Sequence, residues 1–325
     1  MSELKVAHYN LLERIGEGAL GEVYRARDTK FGRTVAVKLV RNTALEGAAR
    51  DAFLDDARTA ATLSHPNIAT LFDVGEYDEG CYLAYEFASG HTLRQEIAGV
   101  RVHPRRVVEL AVQIADALAD AHAQGIIHAD IRPDTIFVTP KGNAKVLEFG
   151  MARWTRGGAV RRRAATRPEM LGPEAQGIVA YMSPEQALGG LVDPRSDVFS
   201  LGVIAYEMLA GVHPFAQPSV ADTLVRITGG TLAPPSTSNP DVTPEFDALV
   251  MRALAKDIEQ RQQSAASFSA ELRSLGAMLD VRTGDSPSPG DLLPIDDDPG
   301  MAKWWAVAAA GLLIGAAAWW FFARP

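Results

Sequence analysis

The residues with the plainest chemical use lie in Ile127-His128-Ala129-Asp130-Ile131-Arg132-Pro133-Asp134-Thr135-Ile136-Phe137-Val138, a tight polar loop running into a short apolar strand. A second apolar run, Lys145-Val146-Leu147, ends in Glu148-Phe149-Gly150. Two strands joined by a Lys141-Gly142-Asn143 turn, with carboxylates before the first and after the second, make a hairpin that presents acids to one cleft. Upstream, Gly16-Glu17-Gly18-Ala19-Leu20-Gly21-Glu22-Val23 reads as a glycine turn between two strands. Its backbone can approach phosphates with no Cβ in the way. Val35-Ala36-Val37-Lys38 follows on a third strand, where a fixed ammonium can neutralise α- and β-phosphate oxygens. A GxGxxG turn alone also fits a plain hairpin; joined to Lys38 at this spacing, it points to phosphate chemistry.

The elements that must hold these residues follow from pattern. Leu11–Ile15, Gly21–Ala26 and Thr34–Val40 read as strands, the last alternating and β-branched. Ala48 to Leu63 has helical spacing of Ala49, Phe53, Ala57 and Ala60, and Ser64-His65-Pro66-Asn67 stops it. Ile68–Val74 and Cys81–Phe87 complete an expected antiparallel sheet of five strands with one helix. From Leu93 onward helices dominate, over 105–123, 196–210, 219–227, 244–255 and 264–279. Strands first and helices after them imply an α+β chain in two lobes, 9–87 and 90–279, joined near Glu86–Ser89.

Composition narrows the classes. Of 325 residues, 47% are apolar and 22% charged, ordinary globular values. Forty acids against 32 bases give a net charge of −8, which argues against a general nucleic-acid binder. The single cysteine, Cys81, excludes a disulfide framework and a Cys-based zinc site, and is expected as a buried small hydrophobe. Met1 to Asn10 is polar, so no secretory signal is expected.

The other end differs. Residues 280–302 form an acidic Asp/Pro/Gly/Ser stretch with no period, expected as a flexible linker. Trp304 to Ala323 is 20 residues without a charge, flanked by Lys303 and Arg324, with Trp pairs at 304–305 and 319–320. At about 1.5 Å per residue it matches a bilayer core, so 303–323 is expected as a single transmembrane helix. The globular part is then expected on the cytoplasmic side of that membrane. Gly311 and Gly315, with Ala308, Ala309 and Ala316 nearby, form a small-residue face that permits a homodimer or is simply compositional.

The motifs together resemble the eukaryotic-like serine/threonine protein kinases of bacteria over about Tyr9 to Leu279. The resemblance extends to Ser64-His65-Pro66-Asn67-Ile68, to Tyr181-Met182-Ser183-Pro184-Glu185, to Asp193-Pro194-Arg195-Ser196-Asp197-Val198-Phe199-Ser200-Leu201-Gly202, and to Arg261. It implies a two-lobed kinase fold, ATP as the nucleotide, Mg²⁺ or Mn²⁺ as the metal, and a protein substrate or a partner kinase. It makes Asp130 the base that orients the acceptor hydroxyl, Lys38 the partner of a helix carboxylate (here Asp56) and of phosphate, and Arg132 a γ-phosphate contact. Ile15, Gly16, Gly18, Gly21, Val23, Ala36, Tyr85, Glu86, Ala88 and Phe137 fall at nucleotide positions. His128, Phe149, Asp197 and the Glu185–Arg261 pair fall at structural ones.

Several positions depart from the family pattern. Ala129 stands for the Arg that clamps a phosphorylated activation loop, although Thr155 and Thr166 remain in that segment. Thr135 stands for Asn and Glu148 for Asp at the two metal positions, and Asp56 for Glu. A ligand misplaced by about 1 Å can cost around 100-fold, so transfer is expected to be slow or lost, with a working atypical kinase as the alternative. Arg161-Arg162-Arg163, with Arg153, Arg156 and Arg167, makes the activation segment basic. It is expected as a solvated loop, or else as a dock for an acidic partner, an anionic lipid surface or a phosphate.

Overall fold

The β-branched and aromatic runs of the first 86 residues pair as antiparallel strands. In the computed structural model, which describes residues 4–18, 21–42, 47–172 and 175–283, they are β1 (Lys5–Val6), β2 (Tyr9–Gly18), β3 (Gly21–Asp28), β4 (Arg33–Arg41), β5 (Leu71–Tyr77) and β6 (Gly80–Glu86). Their order is β1-β2-β3-β4-β6-β5, a six-stranded sheet. The sheet has one strand more than the five expected, because Lys5 and Val6 pair with Asn10 and Tyr9 across a turn in which Ala7 takes a positive φ. Gly21 lets β3 lie against β4, since a Cβ there would meet the Leu39 carbonyl oxygen at 1.7 Å.

Alternation along β4 splits its side chains between two cores. Val35, Val37 and Leu39 join Tyr9, Leu11, Ala26 and Tyr82 on one face. Val40 joins Leu83, Cys81, Phe53, Leu54 and Ala57 on the other, where helix α1 (Ala48–Ala60) packs. The strand expected at Ile68–Val74 begins instead at Leu71; Ile68 makes only an isolated bridge to Val146.

After the sheet, β7 (His91–Thr92) leads into α2 (Leu93–Glu96) and α3 (Pro104–Ala123). Strands β8 (Ile136–Val138) and β9 (Ala144–Val146) form the hairpin beneath the cleft, with β7 as a third strand. Further on come α4 (Arg156–Thr166), α5 (Gln176–Val179), α6 (Pro184–Ala187), α7 (Pro194–Ala210), α8 (Val220–Gly229), α9 (Pro244–Ala253) and α10 (Ala265–Thr283). Helix α7 is capped by Asp193, whose carboxylate accepts from Arg195 N, carries Pro194 at its first position and ends on Gly211 at φ 72°. It is apolar nearly all round and correspondingly buried on nearly every side.

The segment expected as a solvated basic loop is the main difference: 156–166 is a helix. Ala and Arg favour helix, and Thr155 caps it by accepting from Gly158 N. Residues Met1–Ala277 group as one unit and Met278–Pro325 as another, of which only 278–283 are described. The candidate linker, the candidate membrane segment and Gly311/Gly315 lie outside the described residues. Among the described residues no helix is long and apolar enough to cross a membrane.

Candidate active site

A cavity of about 1040 Å³ opens between the sheet and the helices. Ile15, Gly16, Val23, Ala36, Lys38, Tyr85, Glu86, Ala88 and Phe137 line it, together with Arg132 and Glu148. Val23 pairs with Lys38, and Ala36 with Tyr85, across β3, β4 and β6, so these side chains meet by register. Glu86 is fixed from behind by Lys145 at 2.7 Å. The Tyr85 hydroxyl is buried with no hydrogen-bond partner among the described residues, and burial with the nearby Glu148 charge raises its pKa. Gly18 and Gly21 stand at the tips of β2 and β3, residues 19–20 between them are not described, and Gly21 is set back from the cavity wall.

The loop that carries Asp130 is held from below. Asp197 accepts from His128 N at 2.9 Å and from Ala129 N at 2.7 Å, and His122 Nε2 lies 2.8 Å from the same carboxylate. His128, fully buried, has Nε2 against the Leu147 carbonyl at 2.8 Å and Nδ1 accepting from Asp130 N at 3.2 Å, so its proton sits on Nε2. Its ring stands edge-on to Phe149 at 4.7 Å. Gln186 Nε2 donates to the Ala129 carbonyl at 2.9 Å. These anchors hold Ala129 at φ 56° and Glu148 at φ 63°, conformations that an alanine and a glutamate seldom adopt unaided.

Lys38 Nζ is 2.8 Å from Glu148 Oε1, not paired with Asp56. The Lys38 charge is the main cause of a lowered Glu148 pKa, burial opposing it, so the glutamate is ionised. The expected Lys38–Asp56 pair is replaced because Asp56 Oδ2 is taken by Trp154 Nε1 at 2.6 Å and by Arg153 Nε at 2.8 Å. Trp154 in turn stands edge-on to Phe53 of α1 at 5.6 Å. Glu148, one methylene longer than an aspartate, reaches the lysine that Asp56 has left.

Asp130 is engaged at both oxygens. Arg161 Nη1 lies 2.9 Å from Oδ1, and Thr155 Oγ1 donates to Oδ2 at 3.1 Å. Arg132 contributes a longer contact of 3.5 Å through Nε and pairs with Asp134 at 3.1 Å. Burial lowers the Arg161 pKa while Asp130 opposes the shift, so the guanidinium stays charged. Gly157 presses on the same carboxylate: a Cβ there would be 2.1 Å from Asp130 Oδ2. The expectation of a solvated loop for the basic segment therefore fails at Arg161, which enters the cleft because α4 turns it inward.

The metal positions divide. Glu148 lines the cavity as an ionised carboxylate and fits a divalent cation that shares its shell with nucleotide phosphates, the usual way Mg²⁺ is held. Thr135 does not line it: its hydroxyl lies 3.1 Å from the Asp130 carbonyl and 2.9 Å from that of Arg132, and accepts from Arg132 N at 3.2 Å. Among the described residues no group of three or more His, Cys, Asp or Glu is placed to hold a metal.

Sequence reasoning missed Thr155, Arg161, Trp154 and Arg153 as parts of this site. The available signal was a Thr cap ahead of an Ala/Arg-rich run; Gly157 and Gly158 in its first turn masked it. It also missed the outer wall, where Tyr181 and Glu207 are hydrogen-bonded and Arg94 reaches both, at 2.7 Å to Tyr181 Oη and 3.2 Å to Glu207 Oε1. The Glu185–Arg261 pair is bidentate, 2.9 Å on each arm, with the arginine side chain fully buried.

The model of the protein kinase domain family matches residues 9–271. The chain is 37% identical over 287 residues to serine/threonine-protein kinase PknB of Mycolicibacterium smegmatis, covering 86% of this chain and 44% of that protein. It is 35% identical to serine/threonine-protein kinase pkn3 of Myxococcus xanthus, covering 82% and 50%, and 33% identical to serine/threonine-protein kinase PrkC of Bacillus subtilis, covering 82% and 40%. The chain thus spans half or less of the length of these relatives. With a cleft of this architecture and a match over nearly the whole globular part, the chain belongs to the protein kinase family, in the branch of bacterial eukaryotic-like serine/threonine kinases.

Proposed function

We propose that this chain is a membrane-anchored signalling protein that binds ATP in the cavity and transfers its γ-phosphate to protein Ser or Thr slowly, from a resting state that must first be released. The observation that carries the reading is the engagement of both Asp130 oxygens, by Arg161 and Thr155, while Lys38 is held by Glu148. Each of these contacts is a reversible ion pair or hydrogen bond, and the charged groups needed for transfer are all present.

The adenine would lie between Val23 and Ala36 above and Phe137 and Leu147 below, against the backbone of 86–88. Phosphates entering the cavity would compete with Glu148 for Lys38. Release of Lys38 frees the carboxylate to hold Mg²⁺ or Mn²⁺, which when bound neutralises charge on phosphate oxygens. Arg132, on the cavity wall, adds positive charge at the outer end. Asp130 can orient and deprotonate an acceptor hydroxyl only after Arg161 withdraws.

The uncharged stretch 304–323 is the proposed anchor, the acidic 280–302 segment its tether, and Gly311/Gly315 a face for self-association in lipid. The kinase domain would then face the cytoplasm. Recovery of the chain in the soluble fraction of cells, without detergent, would remove the anchor from this reading.

A second reading, a nucleotide-binding scaffold or allosteric partner of another kinase, without turnover, is favoured by one observation: Thr135 spends its hydroxyl on the loop backbone. Labelled-phosphate transfer from ATP to a generic basic protein, with Mg²⁺ and with Mn²⁺, separates the two. Incorporation that disappears in Lys38→Met and Asp130→Asn supports slow transfer. ATP-dependent thermal stabilisation with no incorporation supports the scaffold.

A further inference from the structure

The turn between β3 and β4, Asp28-Thr29-Lys30-Phe31-Gly32-Arg33, takes no part in the cavity, yet it is closely built. Asp28, fully buried, accepts from Lys30 N at 3.0 Å, from Phe31 N at 3.1 Å and from Arg33 Nε at 3.2 Å. The Thr29 hydroxyl donates to the His8 carbonyl at 2.7 Å, and Gly32, at φ 68°, donates its amide to the Asp28 carbonyl at 2.9 Å. With the carboxylate of the turn drawn inward, an aromatic ring among cations faces solvent. Phe31 is 66% exposed, with Lys30 Nζ 5.4 Å and Arg33 Cζ 5.2 Å from its ring centroid. The same guanidinium lies 3.6 Å from the ring of Phe72, near the start of β5 and itself 36% exposed. Arg27 completes the group, its Nη2 3.8 Å from where a Gly32 Cβ would stand. Arg27 and Lys30 are exposed and pair with no carboxylate among the described residues.

We infer that this turn is a docking tip for an anionic lipid surface, with Phe31 entering the headgroup layer and Arg27, Lys30 and Arg33 meeting lipid phosphates. The choice of lipid over an acidic protein face rests on the anchor reading above. An exposed phenylalanine alone is ordinary at a protein surface. This one is ringed by cations that have no carboxylate outside the turn to neutralise them, and that is the chemistry of the bilayer interface: positive charge for phosphates, a ring for the boundary with the acyl chains.

Three further points favour the contact. The net charge of −8 does not oppose it, because at physiological salt charges are screened beyond about 8 Å and the tip meets the leaflet first. Asp28 already fixes the turn, so little conformational freedom is lost on docking. A chain anchored in a bilayer meets that bilayer at high effective concentration, so a weak tip is sufficient. The strands that leave the turn are those that bring Val23 and Lys38 together at the cavity, so a docked tip sets how the cleft is presented to the lipid surface.

The test carries the full chain from detergent into vesicles of phosphatidylcholine alone or rich in phosphatidylglycerol, floats them on a density gradient, and reads hydrogen exchange over residues 27–35. The expected result is slower exchange of this stretch in the anionic vesicles, fading as salt is raised. Lys30→Gln should cut the protection about fivefold, the scale of one cation at an anionic leaflet. Phe31→Ser should remove most of it and Phe31→Trp retain it, with ATP-dependent thermal stabilisation unchanged in all three variants. A chain that floats with both lipids but exchanges equally in them overturns the tip and leaves the anchor standing. Flotation with phosphatidylglycerol alone, lost in Phe31→Ser, supports the tip and removes the anchor. Flotation with neither lipid overturns both. Protection that appears without lipid and grows with protein concentration assigns the tip to an acidic face of a second copy and overturns the lipid assignment.

Discussion

Arg161 and Asp130 form a largely shielded, partly buried ion pair at 2.9 Å, between a helix of the activation segment and the loop carrying the candidate base. The pair converts a basic segment that looks like a solvated surface into a plug. Lys38–Glu148, at 2.8 Å, closes the opposite side of the same cleft.

Removing the plug's charge should raise transfer. A hydrogen bond to a charged group contributes about 1.5–3 kcal/mol, and each 1.4 kcal/mol is tenfold in an equilibrium. Arg161→Ala is therefore expected to increase phosphate incorporation into a basic acceptor protein by roughly tenfold or more. An unchanged or lower rate, with ATP binding intact, would mean that α4 is not what limits access to Asp130.

The two altered metal positions should act together. Thr135→Asn returns a carbonyl oxygen to a position whose hydroxyl is now spent on the backbone, and Glu148→Asp shortens the carboxylate that reaches Lys38. The double variant is expected to gain on the order of 100-fold in transfer, the scale of an Å-sized misplacement. Such residues act as a unit, so either single change should give much less. The check is single-turnover transfer with Mg²⁺ for the wild type, both singles and the double.

Glu185 and Arg261 bear on stability. Burial works to raise the Glu185 pKa, but the Arg261 fork and the Ser196 hydroxyl outweigh it and hold the value at about 2. Arg261→Met would leave that carboxylate uncompensated, at a cost of about 3–5 kcal/mol. A lowered midpoint in urea denaturation is the readout; replacing both partners by apolar residues should recover part of the loss.

Acid sensitivity should trace to His213. Burial, helped by Arg94, lowers its pKa from 6.5 to about 3, and its Nδ1 accepts from Phe215 N and Ala216 N. Between those two values the unfolded chain binds a proton that the folded chain does not. The contribution is therefore fully present above pH 6.5 and is lost as pH falls towards 3. Glu185, depressed from 4.5, adds loss in the same direction only below that value, whereas Glu207, raised, acts in the opposite sense. His213→Asn, which keeps an acceptor for the two backbone amides, should flatten the melting temperature between pH 4.5 and 6.5; an unchanged slope would point to another group.

Much of the site was legible because its geometry is local or set by register. Lys38, Val23 and Ala36 meet through strand pairing that alternation alone specifies, and the Asp130 loop is anchored by residues within recognisable motifs. The Arg161–Asp130 pair was not legible, because it spans 31 positions and depends on which way a helix turns. Asp56 reads as a partner for Lys38 by position along α1, and nothing local announces that Trp154 and Arg153 hold it elsewhere. Thr135 shows the same limit on a smaller scale: its type admits metal binding, and only the carbonyls of Asp130 and Arg132 decide against it.

Gly157 sits against Asp130 with no space for a side chain. Every other residue at that position would wedge α4 away from the carboxylate. The closed state therefore has almost no mutational tolerance at this point, while the open state tolerates anything. A lineage that keeps its cleft shut must retain glycine generation after generation, and one that drifts there will drift toward an unrestrained cleft.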